Sequence, residues 1–221
     1  MKDIKLINDD CLNALKKLED GSVDLVLIDP PYKVISGGNK NKNAPKGILS
    51  KNDSKIFKHN NIKFTDYIDE LYRVLKDNTH AYIFTNFLNL SDLLEAVSDS
   101  SFKTHNLLIW KKNNVLPNRW YMKDVEYILF IRKGKAKSIN NKSSKTVLEF
   151  NNILGDKKHP SEKPVDLLEL LVSNSSNEND VVLDCFMGSG STGVACKNLN
   201  RKFIGIEIDK EYFEVCKKRI E

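Results

Sequence analysis

Short apolar runs rich in β-branched residues alternate along the chain with segments whose apolar positions recur every three or four residues. Residues 5–8, 23–28, 81–85, 107–111, 125–132, 181–185 and 203–208 read as strands; residues 12–18, 64–75, 91–97, 165–172, 192–199 and 212–219 read as helices. The run Val-Asp-Leu-Val-Leu-Ile at 23–28 is too continuously apolar for a one-sided strand and predicts a central parallel one. Gly21 stops the first helix, and Pro164 opens the one at 165–172. Alternation of this kind predicts a doubly wound α/β sheet, mostly parallel, with the strands at 107–111 and 125–132 supplying an antiparallel edge.

Two segments lack periodicity. Residues 33–61 carry Gly37-Gly38, Pro45 and Gly47 among many Asn and Lys, and a structureless stretch of that length is commonly a functional lid. Residues 133–158 are polar and rich in Lys, Ser and Asn. Both are basic: seven lysines lie between Lys33 and Lys58 against the single acid Asp53, and the run from Arg132 to Lys145 has no acid. The net charge of +5 is modest, so it is this clustering that points to phosphate contact. Lys33, Lys40, Lys42, Lys46, Arg119, Lys133, Lys135 and Lys137 are the candidate nucleic-acid contacts.

The 221 residues fit one domain, 1–221, with no internal repeat. No apolar run approaches the roughly 20 residues that span a bilayer, and no secretion signal is legible, so no membrane partner and a cytosolic location are expected. Cys11, Cys185, Cys196 and Cys216 are scattered and do not cluster with histidines, which argues against a metal site or disulfide framework.

Between strand 181–185 and helix 192–199 lies Asp184-Cys185-Phe186-Met187-Gly188-Ser189-Gly190-Ser191-Thr192. Glycines there let the backbone turn tightly against a ligand, and the helix start offers free N–H groups. About twenty residues on, a strand ends in Glu207, placed as an acid that binds ribose hydroxyls. A dinucleotide fingerprint adds a third glycine that packs the helix and a crevice for pyrophosphate. Here Asp184 and Phe186 precede the glycines, and an acid at the strand tip suits a cationic ligand such as a sulfonium.

The most specific feature is Asp29-Pro30-Pro31-Tyr32 at the end of the buried strand. Two prolines fix φ and remove two backbone donors, which leaves a rigid corner that presents acceptors. A nucleobase amine has its lone pair delocalised into the ring. If the Asp29 carboxylate and the Pro30 carbonyl each accept one N–H, the nitrogen becomes more tetrahedral and its lone pair can attack a methyl donor. Tyr32 would stack on the base. A base in a duplex has to be flipped out to reach such a corner.

Asp-Pro-Pro-Tyr at 29–32 followed by Phe-Met-Gly-Ser-Gly at 186–190 resembles the amino-DNA-methyltransferase family, in the motif order of its β group. His159-Pro160-Ser161-Glu162-Lys163-Pro164 resembles the family segment at the methionine end of the cofactor. Asn8-Asp9-Asp10-Cys11 resembles the strand tip at its adenine, and Trp110-Lys111-Lys112-Asn113 with Glu126-Tyr127 resembles the late strands. The resemblance implies a circularly permuted class I, Rossmann-like fold that uses S-adenosylmethionine. It implies that Gly188, Gly190 and Phe186 bind the cofactor, with Ser189, Ser191, Thr192, Asp184, Cys11 and His159 alongside. Glu207 then holds the ribose, Asp10 the adenine and Lys163 lies near the carboxylate. Asp29, Pro30, Pro31 and Tyr32 carry the chemistry.

The implied reaction is direct in-line methylation of adenine N6 in a flipped-out base of DNA, by a protein held at the nucleoid by its substrate. Cytosine N4, RNA or a protein glutamine as acceptor, and a non-catalytic nucleic-acid-binding subunit, are the alternatives. A homodimer, a partner subunit and a cognate restriction endonuclease are left open. Cys185 stands where many members have Pro, and residues 133–158 are short for a target-recognition region, which leaves low selectivity, sharing of that task with residues 33–61, or a second subunit as the alternatives.

Overall fold

The computed structural model describes residues 4–31, 61–116, 120–153 and 162–220. Eight strands form one sheet: β1 (Ile4–Asn8), β2 (Val23–Ile28), β3 (Leu75–Thr85), β4 (Lys103–Leu116), β5 (Lys123–Arg132), β6 (Val147–Glu149), β7 (Val181–Asp184) and β8 (Lys202–Glu207), in the order β1-β8-β7-β2-β3-β5-β4-β6. β5 alone runs antiparallel to its neighbours, as the sequence suggested, but it is internal, with β4 and the short β6 outside it. In β6 only Leu148 is buried, too little periodicity to stand out from a polar segment.

Six helices cover the sheet: α1 (Cys11–Leu15), α2 (Ile68–Val74), α3 (Leu90–Asp99), α4 (Val165–Ser175), α5 (Ser191–Asn198) and α6 (Lys210–Ile220). Side chains alternate across a strand. Val26 and Ile28 of β2 pack with Leu15, Leu71 and Leu93 of α1–α3, whereas Leu25 and Leu27 pack with Leu167, Ala195 and Cys216 of α4–α6. That is why every residue of β2 except Asp24 is apolar. None of the described helices is long and apolar enough to cross a membrane.

The segments around α2 and β3 depart from the sequence reading. The helix expected over 64–75 breaks at Tyr67 (φ −130°), where a single 3-10 turn, Phe64–Asp66, gives way to α2; the Asp66 carboxylate accepts the Lys63 N–H and fixes that turn. β3 begins six residues early because Lys76, Asp77 and Asn78 form an exposed, irregular extension with Asn78 in the left-handed region (φ +62°).

Candidate active site

β1, β8, β7, β2 and β3 are mutually parallel, so their C-terminal ends share one edge of the sheet. Asp10, Glu207, Asp184 and Asp29 stand at or just beyond the ends of β1, β8, β7 and β2. The Asp-Pro-Pro corner and the glycine turn thus lie on adjacent strands, β2 and β7.

Asp29 is the end of a buried chain of alternating charge. The Lys163 ammonium pairs with Asp29 Oδ2 and lies 3.5 Å from Glu126 Oε2. Glu126 Oε1 in turn meets Lys112 Nζ at 2.5 Å. Lys163 is nearly inaccessible and sits over the Phe84 ring, 5.1 Å from its centroid. Isolated charges would be costly here, and alternation of sign is what makes the set tolerable. Burial pulls the Lys163 pKa down, but Asp29 and Glu126 outweigh it and hold the amine above its ordinary value. Burial pushes Glu126 up, and the two lysines outweigh that and hold it below the carboxylate range. For Asp29 burial wins: its pKa is raised, with Lys163 opposing and Glu126 adding to the rise. Asp29 Oδ1 is buried and has no hydrogen-bond partner among the described residues.

The glycine turn is built tightly. Asp184 Oδ1 accepts the Phe186 N–H at 3.1 Å, and Oδ2 accepts the Thr192 hydroxyl at 2.6 Å. Burial raises the Asp184 pKa to about 7. Gly188 (φ +51°) donates its N–H to Glu207 Oε2 at 2.9 Å, while Glu207 Oε1 accepts from Asp209 N at 2.8 Å. Burial raises Glu207 as well. At Gly190 (φ +83°), which caps α5, a Cβ would collide with Cys216 Sγ and Ile220. Gly193 packs α5 against Phe203 and Ile220 with no room for a Cβ. It is the third, helix-packing glycine that the sequence reading did not assign. The Phe186 ring meets Tyr67 edge-on at 5.1 Å.

Arg219 of α6 joins the two halves of the site. Its Nη1 donates to Ser189 O and Ser189 Oγ, both at 3.0 Å, and its Nη2 pairs with Glu162 Oε1 at 2.8 Å. Glu162 precedes Lys163, so the brace on the glycine turn is continuous with the lysine that reaches Asp29.

Asp10 caps α1, with Oδ1 accepting the N–H of Leu12 (2.9 Å) and Asn13 (3.3 Å). The neighbouring Cys11 thiol is buried and pushed up to about 12. Lys163, expected beside a cofactor carboxylate, pairs with Asp29. Lys133, Lys135 and Lys137, the candidate nucleic-acid contacts, stand apart from this site. They follow β5, whose antiparallel course ends at the opposite edge of the sheet from Asp29. Lys133 Nζ there donates to Tyr72 O and Leu75 O at 2.9 and 2.7 Å, and Lys137 O contacts His80 Nε2. Tyr32, Lys33, Lys40, Lys42, Lys46, Arg119 and His159 lie outside the described residues. The sequence reading assigned no role to Lys112, Glu126, Glu162, Arg219 or Tyr67. The buried Tyr67 hydroxyl has no hydrogen-bond partner among the described residues, and burial raises its pKa well above the ordinary value.

Comparison with known proteins agrees with this geometry. A family model described as DNA methylase, covering N6 and N4 methyltransferases, matches residues 23–218. The type II methyltransferase M2.LlaDCHI of Lactococcus lactis subsp. cremoris is 34% identical over 97% of this chain and 88% of its own length. M2.DpnII of Streptococcus pneumoniae is 32% identical over 98% and 89%. The solved complex of M1.HpyAVI with S-adenosylmethionine superposes with a TM-score of 0.74 at 31% identity, covering 99% of both chains. The PvuII DNA methyltransferase, titled cytosine-N4-specific, shares the fold with a TM-score of 0.78 at 17% identity, over 100% of this chain and 87% of its own. The chain belongs to the N6/N4 DNA methylase family and is a DNA methyltransferase that uses S-adenosylmethionine.

Proposed function

We propose that the acceptor is the exocyclic N6 of adenine in DNA, presented as a flipped-out base to Asp29 and Pro30. The observation that carries this reading is the vacant, buried Asp29 Oδ1 beside the glycine turn. It accepts one amino N–H, and the Pro30 carbonyl, with no competing donor on the following proline, accepts the other. Both bonds favour a tetrahedral nitrogen. S-adenosylmethionine supplies, when bound, an electrophilic methyl group on a sulfonium. Positive charge that develops on the acceptor nitrogen is stabilised by Asp29, whose raised pKa also suits it to take the proton the nitrogen must lose. Lys163 fixes the carboxylate through its other oxygen, leaving Oδ1 free.

The donor is assigned to the residues around the glycine turn. Glu207 takes the ribose hydroxyls, with Asp10 and Cys11 on the adenine side and Phe186, Gly188, Ser189, Gly190, Ser191 and Thr192 along the turn. Asp184 places negative charge near the sulfonium. The fit rests on the positive-φ backbone of Gly188 and Gly190 and on an acid at the tip of β8. We assign the whole chain to one methyltransferase domain in which residues 33–61 and 133–158 are the candidate target-recognition elements. The relatives titled type II methyltransferases favour pairing with a restriction endonuclease of the same site.

Adenine is preferred over cytosine on the Asp-Pro-Pro-Tyr spelling, since cytosine-N4 members more often begin with Ser. Digestion of the methylated DNA and mass spectrometry of its nucleosides tests it: N6-methyladenine is expected, and N4-methylcytosine would overturn the base. Asp29→Ala should abolish transfer while S-adenosylmethionine still binds.

A further inference from the structure

Large apolar side chains left in water mark a surface awaiting a partner. Among the described residues, Trp120, Tyr121 and Met122 are 80%, 93% and 60% exposed. They precede β5 at the tip of the β4–β5 hairpin, beside half-exposed Val115 on the other arm, and exposed Phe87 and Leu88 follow the end of β3. All six lie on the edge of the sheet that carries Asp29.

The hairpin's position is set by register. Thr85, the last residue of β3, pairs with Tyr127, so residues 123–126 and their partners on β4 stand beyond it. Four residues of strand amount to roughly 13 Å of projection past the end of β3. The base of the hairpin is the wall of the active site, because Glu126 and Lys112 face each other there and reach Asp29 through Lys163.

We propose that Trp120 and Tyr121 form a wedge that enters the base stack of duplex DNA beside the target nucleotide and holds the gap open while the base occupies the Asp29 corner. The inference rests on the proposed extrusion of the base. For an amine to reach Asp29, the substrate has to stand against this edge, which brings it to the hairpin tip. Aromatic faces stack on any base, and apolar wedges unstack duplex steps in other DNA-binding proteins.

The test compares wild type with the W120A/Y121A double variant. Substrates are a duplex oligonucleotide carrying the site that the wild type methylates, and its isolated target strand. Both residues are exposed, so the fold and S-adenosylmethionine binding should be retained. Expected is a loss of at least about tenfold in duplex methylation, with the single strand within about twofold of wild type. The fluorescence rise of 2-aminopurine at the target position should vanish on the duplex. Equal losses on both substrates, or no loss on the duplex, would overturn the wedge. So would a dimer in wild type that the substitution splits, since the surface would then belong to a second copy. The base methylated by wild type tests the proposed acceptor separately.

Discussion

Lys163 and Asp29 are 134 residues apart in sequence and form a buried ion pair that engages only Oδ2 of the carboxylate. One oxygen is anchored and the other is left to accept. A lone buried carboxylate would rotate or take up a proton; pairing with an ammonium holds one oxygen in place and opposes protonation. If Lys163 acts through Asp29, Lys163→Met should lower kcat by about 100-fold and leave the dissociation constant of S-adenosylmethionine within about threefold. If it holds the cofactor carboxylate instead, calorimetry will show the binding constant carrying the loss. The variant also leaves Asp29 without its counter-charge, while Glu126 keeps Lys112, a cost of about 3–5 kcal/mol that protonation of Asp29 partly relieves. Its thermal stability should therefore fall further at pH 8 than at pH 6.

Glu126 tunes the same pair. Its charge raises the Asp29 pKa, and it competes for Lys163. In Glu126→Gln the lysine is committed to Asp29 and the repulsion is gone, so the Asp29 pKa falls. Activity that needs the carboxylate is lost as pH drops through that value. In wild type the acid limb of the kcat profile should lie above the ordinary carboxylate range. In the variant it should move to lower pH. A limb that stays in place would remove Asp29 as the titrating group.

The elements and the two motifs were legible in the sequence because each is local. The boundaries of β2 follow from its apolar run, interrupted only by Asp24, and the glycine turn and Glu207 follow from spacing. The bracing residues were not legible. Arg219 and Ser189 are 30 residues apart, and Lys112 meets Glu126 only because β4 and β5 pair. Nothing in either local sequence announces such partners. Composition likewise does not say at which edge of a sheet a charged segment emerges, and the antiparallel course of β5 carries Lys133 away from Asp29.

Asp184 makes stability depend on pH. Its folded pKa of about 7 exceeds the ordinary 3.8, so the unfolded chain gives up the proton first and folding stability declines as pH rises from about 4 to 7. The limit of that decline is about 4 kcal/mol. Asp184→Asn can keep both hydrogen bonds, with its oxygen accepting from Phe186 and its amide donating to Thr192. Melting curves should then show a smaller drop between pH 5.5 and 8 for the variant than for wild type. At pH 8 its affinity for the cationic cofactor should be lower, because the charge that favours a sulfonium is gone.

Gly190→Ala combines two penalties. A left-handed backbone costs a side-chain-bearing residue about 1–2 kcal/mol, and the new Cβ collides with Cys216 Sγ and Ile220. Overpacking of this kind adds about 1–3 kcal/mol. The backbone term is intrinsic to the residue, whereas the steric term depends on the neighbour. Cys216→Ala alone should cost little more than a buried sulfur, and in the double variant it should return part of the loss at Gly190. Urea denaturation of the four proteins gives the coupling energy directly. A favourable coupling of about 1 kcal/mol or more is expected. Strict additivity would mean that the turn moves away from α6 rather than pressing on it, and the Arg219 contacts to Ser189 would then loosen along with it.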